Sequence, residues 1–466
     1  MAISSAGVGS GLDVNSIVSK LVAIERQPLT QLKTKASSIQ TQLSLYGKIK
    51  SQMSALGDAA AVLAGKSGWN VQKASSSNAS AVGVSVGTGA VASALSVSVQ
   101  QLARAQSSAS QGLAAGVAVG ATGTLNIEAG SWSDDATPVF TPGTSVPISI
   151  VAGDTVSDIA SKINSASAGV TATVLRDGAN ERLVIRSTST GVASGFRLNE
   201  PADSGLSAFG FTNPSDGSGF AGQTALDAKV NINGVDVVSA TNKMTDAIPG
   251  VTLQLNQVTT APAEITVETD DEVIQKNIQT FVDAYNALNT TIADATKYTA
   301  ATKTAGPLQG DATTLGLQSA LRSMLGSGSV GSTFSRLSDV GIERQTDGSL
   351  KVNTTKLAAA QQDLPNLKNL FTADNSDATT NGFGLKVRDF ARAMVAFDGQ
   401  VSNKATALQS SIDRNSTEQD RVNDRASRIE TQLYKQYSAL DSQMAQLNSL
   451  SSFVTAQLAV WNKSSN

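Results

Sequence analysis

The chain has 466 residues, no cysteine and no histidine, and 35 Lys and Arg against 38 Asp and Glu, for a formal net charge of −3. A chain of this length outgrows one simple core and is expected to divide into roughly two to four domains. The two absent residue types remove disulfides, thiolate and imidazole metal sites, and the Ser-His-Asp and Cys-His nucleophile systems.

The charge is uneven. Residues 106–269 carry seven Lys and Arg against fifteen Asp and Glu, and aromatics are only 4% of the chain. An acidic middle with few stacking side chains argues against a nucleic-acid partner. No apolar run reaches the ~20 residues of a membrane helix, so no membrane insertion is expected. Lys20 is the first basic residue and no uninterrupted apolar segment follows it, which is not a secretory signal pattern. Composition alone therefore implies the cytoplasm, unless a specialised exporter handles the chain.

In chain order, Gly7-Val8-Gly9-Ser10-Gly11 comes first. A dinucleotide fingerprint needs a buried strand before it and a third glycine where Leu12 stands, so this stretch reads as a tail with Asp13 or Asn15 capping the next helix. A short helix is expected from about Val14 to Gln27. A longer one follows to about Leu63, with Pro28 at its first turn, where a missing N–H costs nothing. In that helix Leu32, Ile39, Tyr46 and Met53 recur every seven residues, flanked by Ala36, Leu43, Ile49 and Leu56.

The middle, about Val71 to Glu268, alternates in strand fashion. Val146, Ile148 and Ile150 form a strand, and Asp154 opens a short helix through Ile159 and Ile163. Val170 to Val174, the turn Asp177-Gly178-Ala179-Asn180 and Leu183-Val184-Ile185 complete a β-α-β-β unit. Lys229 to Val238 is a hairpin around Asn233-Gly234, a pair suited to a type I′ turn. Residues 251–255 and 264–268 supply further strands, and 203–222 reads as a loop.

Helix returns from Asp271 to Tyr298, with Ile274, Ile278, Phe281, Tyr285 and Leu288 on one face. A helix near Thr313 to Leu325, a hairpin around Asp347-Gly348 and a helix over 385–397 follow. From Gln400 to Asn466 no Pro or Gly interrupts. There Ala426, Leu433, Leu440, Leu447, Val454 and Trp461 stand seven apart, with Leu408, Val422, Ile429 and Leu450 in the companion position. That is a heptad seam, read as a coiled coil or as a long helix packed in a bundle. One apolar seam cannot offset the cost of ordering so long a helix, roughly 1.5 kcal/mol per residue, so the helix must pack on the other arm, on other copies or on a host. The extreme ends, 1–25 and 450–466, are expected to fray.

Little here suggests chemistry. Asp203-Ser204-Gly205 matches half of an aspartic-protease pair, which needs two copies. No Ser stands three residues before any Lys, and no calcium loop appears. Asp134-Asp135 and Asp270-Asp271-Glu272 are the densest acid groups, and the latter suits a helix N-terminus. No catalytic, cofactor-binding or metal-ligating residue is assigned, and no cofactor is expected.

Several segments together resemble one family. These are GVGSGLDVNSIVSKLVAIERQPL at the N-terminus, 230–255, 281–288, 306–323, 337–353 and 427–458, in the same order as in the flagellar filament-capping (hook-associated protein 2) family. The resemblance implies an α+β multidomain protein whose long antiparallel terminal helices form a coiled coil, with β-rich outer domains inserted between them. The implied division is an N-terminal arm over 1–70, inner-body strands over 71–105, an outer insertion over 106–269, an inner body over 270–399 and a C-terminal arm over 400–466.

The resemblance further implies unfolded export through the flagellar type III apparatus with a cytoplasmic chaperone, and secretion to the distal tip of the filament. There the family forms a homo-oligomeric ring, a pentamer by expectation with tetramer or hexamer open. The ring folds and polymerises incoming flagellin and prevents its leakage. Leu32, Ile39, Tyr46, Met53, Leu433, Leu440, Leu447 and Val454 are then candidates for coiled-coil pairing and assembly, and equally for the core of one subunit. Two other readings stand beside this one: an adhesin binding host glycan or mucin through 106–269, and another axial protein such as a hook–filament junction subunit or a flagellin.

Overall fold

The computed structural model describes residues 13–133, 138–201, 204–212 and 222–464, with backbone only for 461–464. The glycine-rich start, Asp134-Asp135, Asp203, most of the 203–222 loop and the side chain of Trp461 lie outside the described residues. Two compact units appear, one made of the described residues up to Trp69 and from Asp271 onward, the other of Asn70–Asp270.

The first unit is helical. Helix α1 (Val14–Glu25) is capped by Asp13, whose side chain accepts from Ser16 N at 3.0 Å. Arg26 separates it from α2 (Gln27–Ala64), with Pro28 in the first turn of α2. Proline lacks the N–H and its ring would crowd the carbonyl four residues back, so the chain restarts there. Outside this unit comes α3 (Val156–Ser165). Back in the helical unit follow α4 (Asp271–Thr296), α5 (Ala312–Gly326), α6 (Thr354–Gln361), α7 (Leu364–Thr372), α8 (Phe383–Val395) and α9 (Gln400–Ser464). At ~1.5 Å per residue, the 65 residues of α9 span roughly 100 Å.

One core joins these helices. Ile49, Leu56 and Leu63 of α2 meet Ile274, Ile278, Phe281 and Leu288 of α4, Phe383 and Val387 of α8, and Val401 of α9, all buried. The Trp69 and Phe371 rings lie 5.4 Å apart, and the Trp69 indole N–H donates to Leu63 O at 2.8 Å. Gly57 has a positional reason: a Cβ there would stand 3.0 Å from Ala391 Cβ, so α2 and α8 approach closely. The hairpin of Ile342–Arg344 and Leu350–Val352 turns at Gly348, φ 84°. It is held by Tyr285, whose hydroxyl donates to Gly348 O at 2.9 Å.

A second, small core shows that the N-terminal arm is not wholly frayed. Val14, Val18 and Val22, each four residues apart, form a buried stripe against Ala426, with Leu433, Tyr434 and Tyr437 at its edge. Glu25 pairs with Arg425 at 2.9 Å, and Arg26 with Glu430 at 3.8 Å. Because α1 sits on the middle of α9 while α2 packs on its beginning, the arms run antiparallel, as expected.

The second unit holds two β-rich cores. In one, Gly123–Trp132 pairs antiparallel with both Phe140–Ile150 and Gly195–Asn199. Helix α3 and the hairpin Val170–Asp177/Asn180–Ser187 complete the expected β-α-β-β order. Leu125, Ile127, Ile148, Ile159, Ile163, Leu183, Ile185 and Leu198 fill it. The cap of α3 falls one residue later than expected, at Thr155, in a reciprocal box with Asp158. Asp154 instead accepts from Val151 N at 2.8 Å and pairs with Lys162. In the other core a five-stranded sheet runs in the order Gln72–Ser76, Ala263–Thr269, Ser93–Gln101, Ala228–Ile232, Val235–Ser239. Strands from 72–101 are thus paired with strands from 228–269. The Asn233-Gly234 turn has φ of 50° and 87°, both positive as a type I′ turn requires.

Candidate assembly surface

The heptad seam divides into three environments. Tyr46 and Met53 are buried in the helical core, and Ile39 packs half-buried on its edge. Leu32 is half-buried further along α2. Leu433 lies half-buried against the small α1 core. Beyond it the seam is open: Leu440 is 43% exposed, Leu447 59% and Val454 48%. Leu450, Phe453, Leu458 and Val460 are also exposed. The eight candidates are therefore not one surface. Tyr46, Met53 and Ile39 line or edge the core of the helical unit, Leu32 is half-buried outside it, Leu433 edges the α1 contact, and three stand exposed on the far part of α9.

Where α9 begins, a polar cluster locks it to α2 and α5. Asp311 caps α5, accepting from Thr314 N at 2.9 Å, and its other oxygen pairs with Lys404 of α9 at 2.8 Å. Tyr46 of α2 donates its hydroxyl to the same carboxylate and lies 2.9 Å from the Thr314 hydroxyl. Burial by itself would raise the Asp311 carboxyl. The hydrogen bonds from Lys404, then Tyr46 and Thr314, outweigh that and hold it down to about 2. Burial and the acceptor carboxylate together push the Tyr46 phenol well above its ordinary range. Sequence periodicity reads Tyr46 as an apolar seam position and gives no sign of its partner 265 residues away.

Among the described residues there is no group of three or more His, Cys, Asp or Glu placed to hold a metal ion, and no helix long and apolar enough to cross a membrane. Asp271 and Glu272 occupy the first turn of α4, where the helix dipole favours acids. Long antiparallel terminal helices, with β-rich domains inserted between them in the sequence, define the class as a structural protein.

Residues 10–106 match the family described as flagellar hook-associated protein 2 N-terminus, and 225–449 match its C-terminus. Residues 121–189, the β-α-β-β unit, match the flagellin hook IN motif. The chain is 30% identical to flagellar hook-associated protein 2 of Salmonella typhimurium strain LT2, over 99% of this chain and all (100%) of that one. It is 29% identical to the B-type flagellar hook-associated protein 2 of Pseudomonas aeruginosa, over 98% of each. The crystal structure of the D1-D2-D3 domains of the flagellar cap protein FliD from Escherichia coli superimposes with a TM-score of 0.61 at 26% identity, covering 78% of this chain and 99% of that one.

The chain belongs to the flagellar hook-associated protein 2 family. It is a filament-cap protein of the distal tip of the flagellum, a structural component and not an enzyme. That replaces the cytoplasmic placement composition implied. It also sets aside the junction-subunit and flagellin readings, and cell adhesion finds no support.

Proposed function

We propose that the chain works as a homo-oligomeric ring at the filament end, where it promotes folding and polymerisation of exported flagellin and keeps it from leaking away. The observation that carries this reading is the bare seam of α9. Burying a large apolar side chain stabilises by ~1.5–3 kcal/mol, yet from Leu440 to Val460 seven such residues remain exposed in a single chain. A helix so built is completed by other chains, here neighbouring subunits and the filament end.

In this reading the arms are legs. Their root is fixed by the helical core and the Asp311 cluster, and their tips hold through contacts weak enough to be exchanged as each flagellin inserts. Copies of itself in a ring (a pentamer by expectation, with tetramer or hexamer open), the export apparatus and a cytoplasmic chaperone are what the family resemblance implies for partners.

The test is deletion of the gene in its own cell, with flagellin retained in filaments measured against flagellin lost to the medium. Abundant extracellular monomer beside intact hooks is the expected result. Normal filaments would overturn the capping role, and loss of all flagellin export would move the protein to an earlier structural step.

A further inference from the structure

Among the described residues, one large apolar side chain of the helical unit is wholly bare. Phe397, in the short link between α8 and α9, is 100% exposed. A phenyl group with no neighbour forfeits all of its burial, and aromatic anchors of this kind are enriched in the cores of protein interfaces. The same unit carries a receptacle of fitting chemistry. A pocket of about 360 Å³ opens between α5, the start of α8 and the 378–379 turn, lined by Ala320, Ser323, Met324, Ala378, Thr379 and Lys386.

Lys386 is only 7% exposed, and its ammonium donates to Gly328 O at 2.6 Å and Ser327 Oγ at 3.0 Å. It already lies 5.1 Å from the centre of the Phe383 ring. An aromatic ring entering the pocket would meet the Met324 side chain, the Ala320 and Ala378 methyls and the same cation, beside the Ser323 and Thr379 hydroxyls.

The knob and the hole belong to opposite ends of α8. From Lys386 to Val395 the helix rises ~14 Å, and Phe397 lies beyond it, so a subunit cannot seat its own Phe397 in its own pocket. We propose that Phe397 of one copy inserts into the α5–α8 pocket of the next. Such a contact joins two different patches, and repeated head to tail it closes into a ring when the rotation permits. The inference rests on the self-assembly proposed above and adds to it the contacting residues and their handedness of use, one knob and one hole per subunit.

The test uses two full-length variants, Phe397→Ser and Ser323→Trp, both at exposed positions, with circular dichroism to verify folding and native mass spectrometry to count subunits. Wild type is expected to give closed oligomers. Each variant alone is expected to be monomeric, because one lacks the knob and the other has its pocket plugged. An equimolar mixture is expected to give heterodimers and nothing larger, since one intact knob and one intact hole remain between the two chains. Variants that still form the wild-type oligomer would overturn the knob and hole while leaving self-assembly standing. Monomeric variants whose mixture also stays monomeric would overturn the head-to-tail pairing. A wild type that is monomeric at every concentration would overturn self-assembly and this contact with it.

Discussion

Two parts of one helix behave differently although the same heptad pattern runs through both. At the root of α9, Val401 is fully buried and Leu408 nearly so, in a core shared with α2, α4 and α8. Farther along, Ala426 is fully buried under α1. From Leu440 onward the pattern continues, but Leu440, Leu447 and Val454 stay exposed. A heptad states that an apolar stripe must be buried; it does not state by whom. The root is satisfied within the subunit and is a stability element, whereas the tip keeps its apolar side chains exposed and is, in the proposed reading, an assembly element.

The contrast breaks first at the root. Phe281 is fully buried, edge-on to Phe371 with ring centres 6.5 Å apart. Phe281→Ala should cost about 3–5 kcal/mol, read as a lowered urea midpoint, with loss of cap function following from unfolding. Asp311→Ala removes a helix cap and leaves the Tyr46 hydroxyl and Lys404 without their acceptor. A loss of roughly 2 kcal/mol is expected, and Asp311→Asn should recover part of it by keeping the cap.

Acid should sharpen the same point. The folded Asp311 carboxyl titrates at about 2, below the ~3.9 of an unfolded aspartate. Its contribution is therefore complete above about pH 4 and lost as the pH falls toward 2. Urea midpoints of wild type and Asp311→Asn should differ at pH 5 and converge near pH 2. At the tip the effect on the single chain should be smallest. Leu447→Ala and Val454→Ala should each change the stability of the monomer by no more than ~0.5 kcal/mol, while lowering the fraction of protein assembled on filament ends. A monomer strongly destabilised by either change would mean the tip is core after all.

Much of this division was half-legible in the sequence. The unbroken α9, the restart at Pro28 and the Asn233-Gly234 turn follow from backbone chemistry, which acts over a few residues. The β-α-β-β unit was readable for the same reason, because its alternation and its cap are local. The end of α8 was not: the pattern carries helix through Phe397, but the chain turns at Val395. Gly399 there comes so close to the Ala393 and Met394 carbonyls that a Cβ would stand 2.4 Å from each. Nor could spacing tell that Tyr46 is both a seam residue and a hydrogen-bond donor to Asp311, or that Val14, Val18 and Val22 dock on Ala426. Those pairings join residues hundreds of positions apart, and periodicity names the face of a helix without naming its partner.

In the proposed reading α9 is complete at its root and incomplete at its tip until other chains cover it. Amide hydrogen exchange on free protein and on assembled caps tests this most directly. Slow exchange is expected over 401–437 in both states, and exchange over 440–460 that is fast in the free chain and slow once assembled. Equal protection of root and tip in the free chain, or a tip unchanged by assembly, would contradict it.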